Sequence, residues 1–128
     1  MAVRLFRVIL PVGDLDQAAA FYAAILGSPG EQVSDGRYYF DCGGTILACV
    51  DPRTEHLELR PNIEHVYFSV DDIEQTFERA STAGCSWLGA SIETHPWGER
   101  SFYARDPSGN PICFVQSGTE FTGGRFVA

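Results

Sequence analysis

In two short stretches of the chain every second residue is Val, Leu or Phe, residues 8–12 (VILPV) and residues 66–70 (VYFSV). In both stretches the first, third and fifth residues are apolar, which is typical of a strand with one buried face. The second stretch follows the first at an offset of 58 positions, and the same offset pairs Asp14 with Asp72. The pattern therefore predicts two equivalent strands and an internal duplication of the chain.

Each predicted strand is followed by the pattern of an amphipathic helix. Asp14 and Asp72 stand where a carboxylate can accept the free N–H groups of a first helical turn. Gly27 and Gly84 stand where the apolar pattern stops, as glycines at helix ends do. Between these limits apolar residues recur at steps of three and four, which predicts one buried face on each helix. These residues are Leu15, Ala18, Ala19, Tyr22, Ile25 and Leu26 in the first helix and Ile73, Phe77 and Ala80 in the second.

Strands joined by tight turns are predicted after each helix. The turns lie at residues 34–37 (SDGR) and 42–44 (CGG) in the first half and at residues 106–110 (DPSGN) in the second. Each half is therefore a βαβββ module, the first over residues 1–60 and the second over residues 61–117. A unit of about 60 residues is marginal alone, so the two modules are expected to form one domain.

The sequence also indicates roles for the last turn and for the C-terminal tail. The Asp, Pro and Gly of residues 106–110 occupy the first, second and fourth positions of a type I turn, so we interpret this turn as structural. The tail, residues 118–128, is rich in glycine. It is either disordered or docks Phe121 and Phe126 on a neighbouring surface.

Composition and charge narrow the function classes. The chain is 45% hydrophobic and 20% charged, as globular proteins are, and it has no apolar run near the roughly 18 residues that cross a bilayer. Without a signal-peptide pattern at its start, a cytoplasmic location is expected. A net charge of −8 disfavours nucleic acid and anionic membranes as partners. The cysteines show no CxxC spacing, so buried free thiols are expected rather than disulfides; they are Cys42, Cys49, Cys85 and Cys113.

Three segments carry a resemblance to a known family. They are VGDLDQAAAFYAAILG after the first strand, HVYFSVDDIE at the start of the second half, and PWGERSFYARDPSGNPICFV near the end. Their order and repetition resemble the vicinal oxygen chelate superfamily, which includes glyoxalase I, bleomycin-resistance proteins, fosfomycin-resistance enzymes and extradiol dioxygenases. The resemblance covers about residues 4 to 117. It implies an α+β fold of two tandem βαβββ modules, with a cleft between curled mixed sheets.

In the enzymes of that family, metal ligands lie on the first and last strands of each module. The resemblance places Arg7 and His65 at the first-strand positions and, aligning Gly43 with Gly109, Leu47 and Cys113 at the last-strand positions. A catalytic divalent ion needs about three imidazole, carboxylate or thiolate ligands. His65 qualifies and Cys113 could bind a soft metal, but Leu47 cannot coordinate and Arg7 would repel a cation. No metal or other cofactor is therefore expected, and a divalent ion bound partly by His65 is the alternative.

Bleomycin-resistance-like members, which have a similar PWG loop and turn, sequester a bulky drug as symmetric dimers. That comparison implies a homodimer whose ligand contacts include Arg7, His65, Tyr67, Trp97, Tyr103 and Cys113. Arg7 would meet an anionic or carbonyl-bearing ligand, or else pair with Glu99, and we favour the ion pair. His95, in the loop before Trp97, is either a ligand contact or simply solvated.

Two function classes are compatible with these residues. The first is a metal-free small-molecule binder of the antibiotic-resistance type, which sequesters an aromatic or drug-like ligand at a dimer cleft. The second is a lyase, isomerase or dioxygenase of the same superfamily, with a metal bound partly by His65 or with His65 as a general base. An interaction module without any ligand is a third possibility.

Overall fold

The fold consists of two α-helices and two mixed sheets, and the computed structural model describes residues 2–123. In chain order the elements are β1 (Arg7–Pro11), α1 (Leu15–Leu26), β2 (Glu31–Ser34), β3 (Arg37–Cys42), β4 (Thr45–Val50), a short 3₁₀ helix (Pro52–Glu55), β5 (Val66–Val70), α2 (Ile73–Ala83), β6 (Trp87–Leu88), β7 (Glu93–Thr94), β8 (Arg100–Arg105) and β9 (Pro111–Gln116). No helix among these residues is long and apolar enough to cross a membrane.

Each sheet is built from one half of the chain. The first has the order β1-β4-β3-β2, and the second has the order β5-β9-β8-β6 with β7 also paired to β8. In each sheet the first strand runs parallel to the last, as β1 does to β4 and β5 does to β9. The predicted α+β class with two βαβββ modules is confirmed. The second module has one strand more than predicted, because the strand that pairs with β8 is interrupted between Leu88 and Glu93.

The ends of both helices follow the sequence prediction. Asp14 Oδ1 accepts a hydrogen bond from Gln17 N at 3.0 Å, and Asp72 Oδ1 accepts one from Gln75 N at 3.1 Å. Gly27 and Gly84 end the helices with φ values of 70° and 102°. These left-handed conformations favour glycine, because a side chain there would collide with the backbone.

Both modules contribute to a single hydrophobic core. The helices pack against each other, and the sheets turn their alternating apolar residues towards them, as Leu10 and Phe114 do. Across the core the ring of Phe77 on α2 meets Phe102 on β8 edge-on, with centroids 5.0 Å apart. Because one face of each sheet packs on this common core, the other face of each sheet points away from it.

The turn at residues 106–110 joins the second module to the first. Gly109 N donates to Asp106 O at 2.9 Å, which closes the predicted type I turn. Asp106 and Asn110 are fully buried. The Tyr22 hydroxyl of α1 donates to Asp106 Oδ2 at 2.7 Å, and Asn110 Nδ2 donates to Pro11 O at 2.7 Å. These contacts support the structural interpretation of the turn.

The register of the last strands corrects one prediction. Leu47 pairs with Val8 and is buried in the core, so it does not lie on the same face as Arg7. Ala48 pairs with Ile9, as Cys113 pairs with Tyr67, so Ala48 is the counterpart of Cys113. The sequence alignment was one residue out because the β3–β4 turn is shorter than the β8–β9 turn, and its glycine is not an equivalent marker.

All four cysteines fall within the described residues and are free thiols. Cys49 and Cys113 are buried, and the other two are half-buried. This agrees with the expectation of buried thiols rather than a disulfide framework.

Candidate functional site

The outward face of the second sheet gathers most of the residues predicted to bind a ligand. Alternation along β5, β8 and β9 places Tyr67 and Tyr103 on this face, on either side of Cys113, to which both are paired. Phe102 and Ala104 point the other way and are buried in the core. The sequence left the orientation of this strand open, and the structure resolves it in favour of Tyr103. Tyr67 is 58% exposed, so its ring is available to a ligand.

Five rings form a continuous surface there, which we call the aromatic face: His65, Tyr67, His95, Trp97 and Tyr103. The His65 ring lies 5.1 Å from that of Tyr103 and 6.1 Å from that of Tyr67. His95 stacks on Trp97 with centroids 4.7 Å apart and planes 4° from parallel. It also meets Tyr103 edge-on at 6.1 Å. Tyr67 and Trp97 are exposed and the other three rings are half-buried, so the surface can accept a flat apolar molecule.

Hydrogen bonds hold the loop that carries Trp97. His95 N donates to Glu99 O at 2.8 Å, and Gly98 N donates to His95 O at 2.9 Å. The His95 Nε2 atom lies 3.0 Å from Ser101 Oγ, and Trp97 Nε1 donates to Glu99 Oε1 at 2.9 Å. Trp97 is nevertheless 50% exposed. The loop therefore presents an oriented indole to solvent, which lowers the entropic cost of binding a ligand.

Two grooves border the aromatic face, and Tyr67 forms a wall of both. The larger has a volume of about 630 Å³ and is lined by His65, Tyr67, Trp87, Tyr103, Ala104 and Arg105. The smaller has a volume of about 430 Å³ and is lined by Tyr67, Phe68, Ser69, Trp97, Glu99, Val115, Glu120 and Phe121. Every residue in these two sets belongs to the second half of the chain.

A third cavity, of about 700 Å³, lies between the modules. Its walls include core-facing residues of both sheets, among them Leu47 and Phe68, and residues of both helices. Tyr67 also borders it, but His65, Tyr103 and Trp97 do not.

Cys113 lies beneath the aromatic face rather than on its surface. Burial raises the pKa of its thiol to about 11, although a hydrogen bond with Ser101 acts in the opposite direction. The group is therefore a neutral thiol near neutral pH. Burial also raises the pKa of Tyr103, with the neighbouring Cys113 and Tyr67 adding to the effect, so its phenol stays protonated.

Arg7 is not part of this cluster. Its guanidinium carbon lies 4.7 Å from the ring centroid of Phe6 and 5.1 Å from that of Tyr39, both in the first half of the chain. The favoured ion pair with Glu99 is wrong, because the Glu99 carboxylate accepts from Trp97 Nε1 and from Phe121 N instead. The structure thus brings together His65, Tyr67, Trp97 and Tyr103 above Cys113, and leaves Arg7 on the other sheet.

Sequence reasoning missed three contributors and left a fourth undecided. Trp87 went unnoticed because β6 is only two residues long and pairs with one end of β8. Alternation placed Ser101 on the same side of its strand as Tyr103 without giving it a role, and Glu120 gave no sequence signal because it acts through a tertiary contact. His95 was left between a ligand contact and a solvated side chain. Its position two residues before Trp97 could have indicated a contact between the two rings, because the loop folds back on itself.

Of the two tail phenylalanines, Phe121 contributes to the smaller groove, whereas Phe126 lies outside the described residues.

The residues at the family's metal positions do not fit a divalent ion. Corrected for register, the four positions hold Arg7, Ala48, His65 and Cys113. One imidazole, one buried neutral thiol, one methyl group and one permanent cation fall short of the three donors such an ion needs. Within residues 2–123, no three His, Cys, Asp or Glu side chains are placed to share a metal ion.

Metal addition should therefore leave thermal stability almost unchanged. A ligand that binds only the folded state raises Tm, so a native site of micromolar affinity would raise Tm by several degrees at millimolar metal. For chelator-treated protein we expect shifts below about 1 °C with Zn²⁺, Ni²⁺, Mn²⁺ or Fe²⁺ in differential scanning calorimetry. A larger rise in Tm of the wild type that is absent in His65→Ala would contradict this prediction and indicate a metal site at His65.

Comparison with known proteins agrees with the fold. The sequence model of the Glyoxalase/Bleomycin resistance protein/Dioxygenase superfamily matches residues 4–114 of this chain. A glyoxalase-related enzyme from Fulvimarina pelagi is 20% identical with a TM-score of 0.74, over 89% of this chain and 88% of its own. A glyoxalase/bleomycin resistance protein from Albidiferax ferrireducens T118 is 23% identical with a TM-score of 0.72, over 87% and 97%.

A lactoylglutathione lyase from Agrobacterium tumefaciens is 23% identical with a TM-score of 0.66, over 89% of this chain and 93% of its own. No curated protein matches the sequence. At such identities the structural likeness establishes the fold, whereas the sequence match over residues 4–114 establishes the family. The chain belongs to the glyoxalase/bleomycin resistance protein/dioxygenase superfamily.

Proposed function

We propose that the protein binds and sequesters a small aromatic or drug-like molecule on the aromatic face without converting it. The observation that carries this proposal is the clustering of five rings on an exposed sheet face, bordered by two grooves that share Tyr67. Ligand sites in proteins are concave and mostly apolar, with a few polar groups that orient the ligand. His65, Glu99 and Arg105 are polar groups of this kind at the edges of the grooves.

The chemistry of the face supports binding rather than catalysis. The donors at the family's metal positions do not form a ligand set, and the Cys113 thiol is buried and neutral. Ser101 lies within hydrogen-bonding distance of His95 but is almost fully buried, so it is not an accessible nucleophile.

We further propose that the chain acts as a homodimer in the cytoplasm. Exposed apolar side chains at the start of the chain and on β1 support a self-association surface; they are Val3, Leu5, Phe6 and Ile9. β1 is also an edge strand of the first sheet, although the side chains of Asn62 and Asn110 already donate to its Ile9 and Pro11 carbonyls. Four free thiols are compatible with a reducing compartment. Sedimentation equilibrium of the full chain tests the dimer.

The alternative is an enzyme that uses His65. One solved relative is a lactoylglutathione lyase, and His65 lies half-exposed at the larger groove beside two tyrosines. An imidazole in that position could act as a general base toward a bound ligand. Conversion of the ligand separates this alternative from sequestration.

Ligand binding is expected to quench intrinsic fluorescence, because the only two tryptophans, Trp87 and Trp97, both border the aromatic face. A panel of fused-ring aromatic compounds should give saturable quenching. Tyr67→Ala should weaken the affinity of a bound compound about tenfold, because the variant removes a wall of both grooves.

Leu57→Ala is the matched control, because it also removes an exposed apolar side chain, from a loop outside both grooves. It should leave the affinity unchanged. Equal weakening by both variants would contradict the assignment of the site. If chromatography shows the bound compound consumed over hours by the wild type but not by His65→Ala, the enzyme alternative holds instead.

A further inference from the structure

We propose that the smaller groove binds the protonated amine of an aromatic ligand. This inference rests on the proposed function and deepens it, since it assigns the charge of the ligand and the part of the site that receives it. The groove has a volume of about 430 Å³, enough for an ammonium group and part of a ring system.

Three aromatic side chains form walls of this groove. Tyr67 comes from β5, Trp97 from the loop before β8, and Phe121 from the segment after β9. All three are at least half exposed. An organic cation enclosed by ring faces is attracted by their negative quadrupoles, and its alkyl substituents lose contact with water.

Two carboxylates lie in the same groove. The oxygens of Glu99 accept from Trp97 Nε1 and Phe121 N, both at 2.9 Å. The oxygens of Glu120 accept from Gly118 N and from Ser69 Oγ, both at 2.6 Å. The hydrogen bond from Ser69 lowers the pKa of Glu120, so this carboxylate is ionised at neutral pH.

Neither carboxylate is neutralised by a cation within residues 2–123. Every donor to them is an uncharged N–H or O–H group, and neither forms an ion pair there. Arg100 follows Glu99 directly, yet its guanidinium donates to Glu74 at 2.7 Å instead. A carboxylate offers about four acceptor sites, so each retains capacity for a ligand donor. Two oriented negative charges between three rings are complementary to an ammonium group.

Matched probes test the charge of the ligand. The naphthalene ring is kept constant in three probes. They are 1-naphthylmethylamine, 1-naphthylmethanol and the anion of 1-naphthaleneacetic acid, which are cationic, neutral and anionic at pH 7. Each is titrated into the ¹⁵N-labelled full chain, with the amides of Gly118 and Phe121 as reporters beside the carboxylates. We expect the amine to bind about five- to tenfold more tightly than the alcohol, and the acetate least tightly.

Variants that replace a carboxylate by an amide of the same shape identify the residues that cause the preference for the amine. Glu99→Gln and Glu120→Gln should each reduce the preference for amine over alcohol by roughly threefold or more, while the affinity for the alcohol stays constant. Glu78→Gln makes the same change of charge on the exposed surface of α2, outside the groove, and should leave the preference unaltered.

The outcomes separate the two proposals. Equal binding of amine and alcohol at the aromatic face would overturn the amine site and leave the proposed function standing. An equal loss of preference in Glu78→Gln would also overturn it, since the net charge of −8 would then explain the effect. Absence of shifts with all three probes would overturn both proposals together.

Discussion

Asp106→Ala is expected to lower the free energy of unfolding by about 3–5 kcal/mol. The carboxylate is fully buried and accepts four hydrogen bonds. The donors are the Tyr22 hydroxyl, the backbone N–H groups of Ser108 and Asn110, and the Asn110 amide. Alanine would leave the Tyr22 hydroxyl and the Asn110 N–H buried without this acceptor, while Asn110 Nδ2 keeps its hydrogen bond to Pro11 O. Urea denaturation followed by circular dichroism measures the loss.

Two further variants check the cause. Burial and the Asp106 carboxylate raise the pKa of Tyr22, so its hydroxyl stays protonated and donates. Tyr22→Phe should cost about 1–2 kcal/mol, and should cost much less when added to Asp106→Ala, because the shared hydrogen bond is already lost. Asp71→Ala, at an exposed carboxylate, should change stability by less than about 0.5 kcal/mol. Additive losses at Tyr22 and Asp106 would contradict a shared network.

Gly30→Ala is expected to lower the free energy of unfolding by about 3 kcal/mol or more. Gly30 has a φ of 65°, and a Cβ atom there would lie 2.5 Å from Cε2 of Phe40. Phe40 is fully buried and packs between Tyr22 and Tyr38, so its ring cannot move aside without disturbing the core. The substitution therefore combines an unfavourable backbone conformation with a steric collision.

Gly43→Ala separates these two contributions. Gly43 has a nearly equal φ of 69°, but a Cβ atom there would meet nothing within 4 Å. Its substitution should cost only about 1 kcal/mol, the conformational part of the penalty. Calorimetric Tm values of the two variants give the comparison. Equal losses would show that the collision with Phe40 is relieved by relaxation.

Local features were predictable from the sequence because their causes are local. The caps at Asp14 and Asp72, the glycine ends of the helices and the turn at 106–110 depend on residues within a few positions of one another. Alternation also assigned Tyr67 to the outward face. The register of β4 was missed, because turns of unequal length separate it and β9 from their partners. The separation of Arg7 from His65 was missed for a different reason: the two residues belong to different sheets, and no short stretch of sequence carries a signal for how the sheets pack.

The candidate site likewise combines features that the sequence predicted with features that it did not. Trp97 was predicted to be a platform for a ligand. It is exposed on a loop that is fixed by hydrogen bonds, as a platform requires. Its role in binding stays a prediction. The stacking of His95 beneath it and the pairing of Glu99 with its indole nitrogen depend on how the loop closes. The second groove also needs Glu120 and Phe121, which follow β9 and reach the face only through tertiary contacts.

The contacts of the 106–110 turn make the two halves of the duplication unequal. The matching hairpin in the first half is largely exposed, and among residues 2–123 its Asp41 carboxylate accepts a hydrogen bond from the nearby Gly44 N alone. The turn of the second module thus bonds to α1 and β1 of the first module. A chain cut between the modules would lose these hydrogen bonds, and the first module alone would leave the Tyr22 hydroxyl without its acceptor.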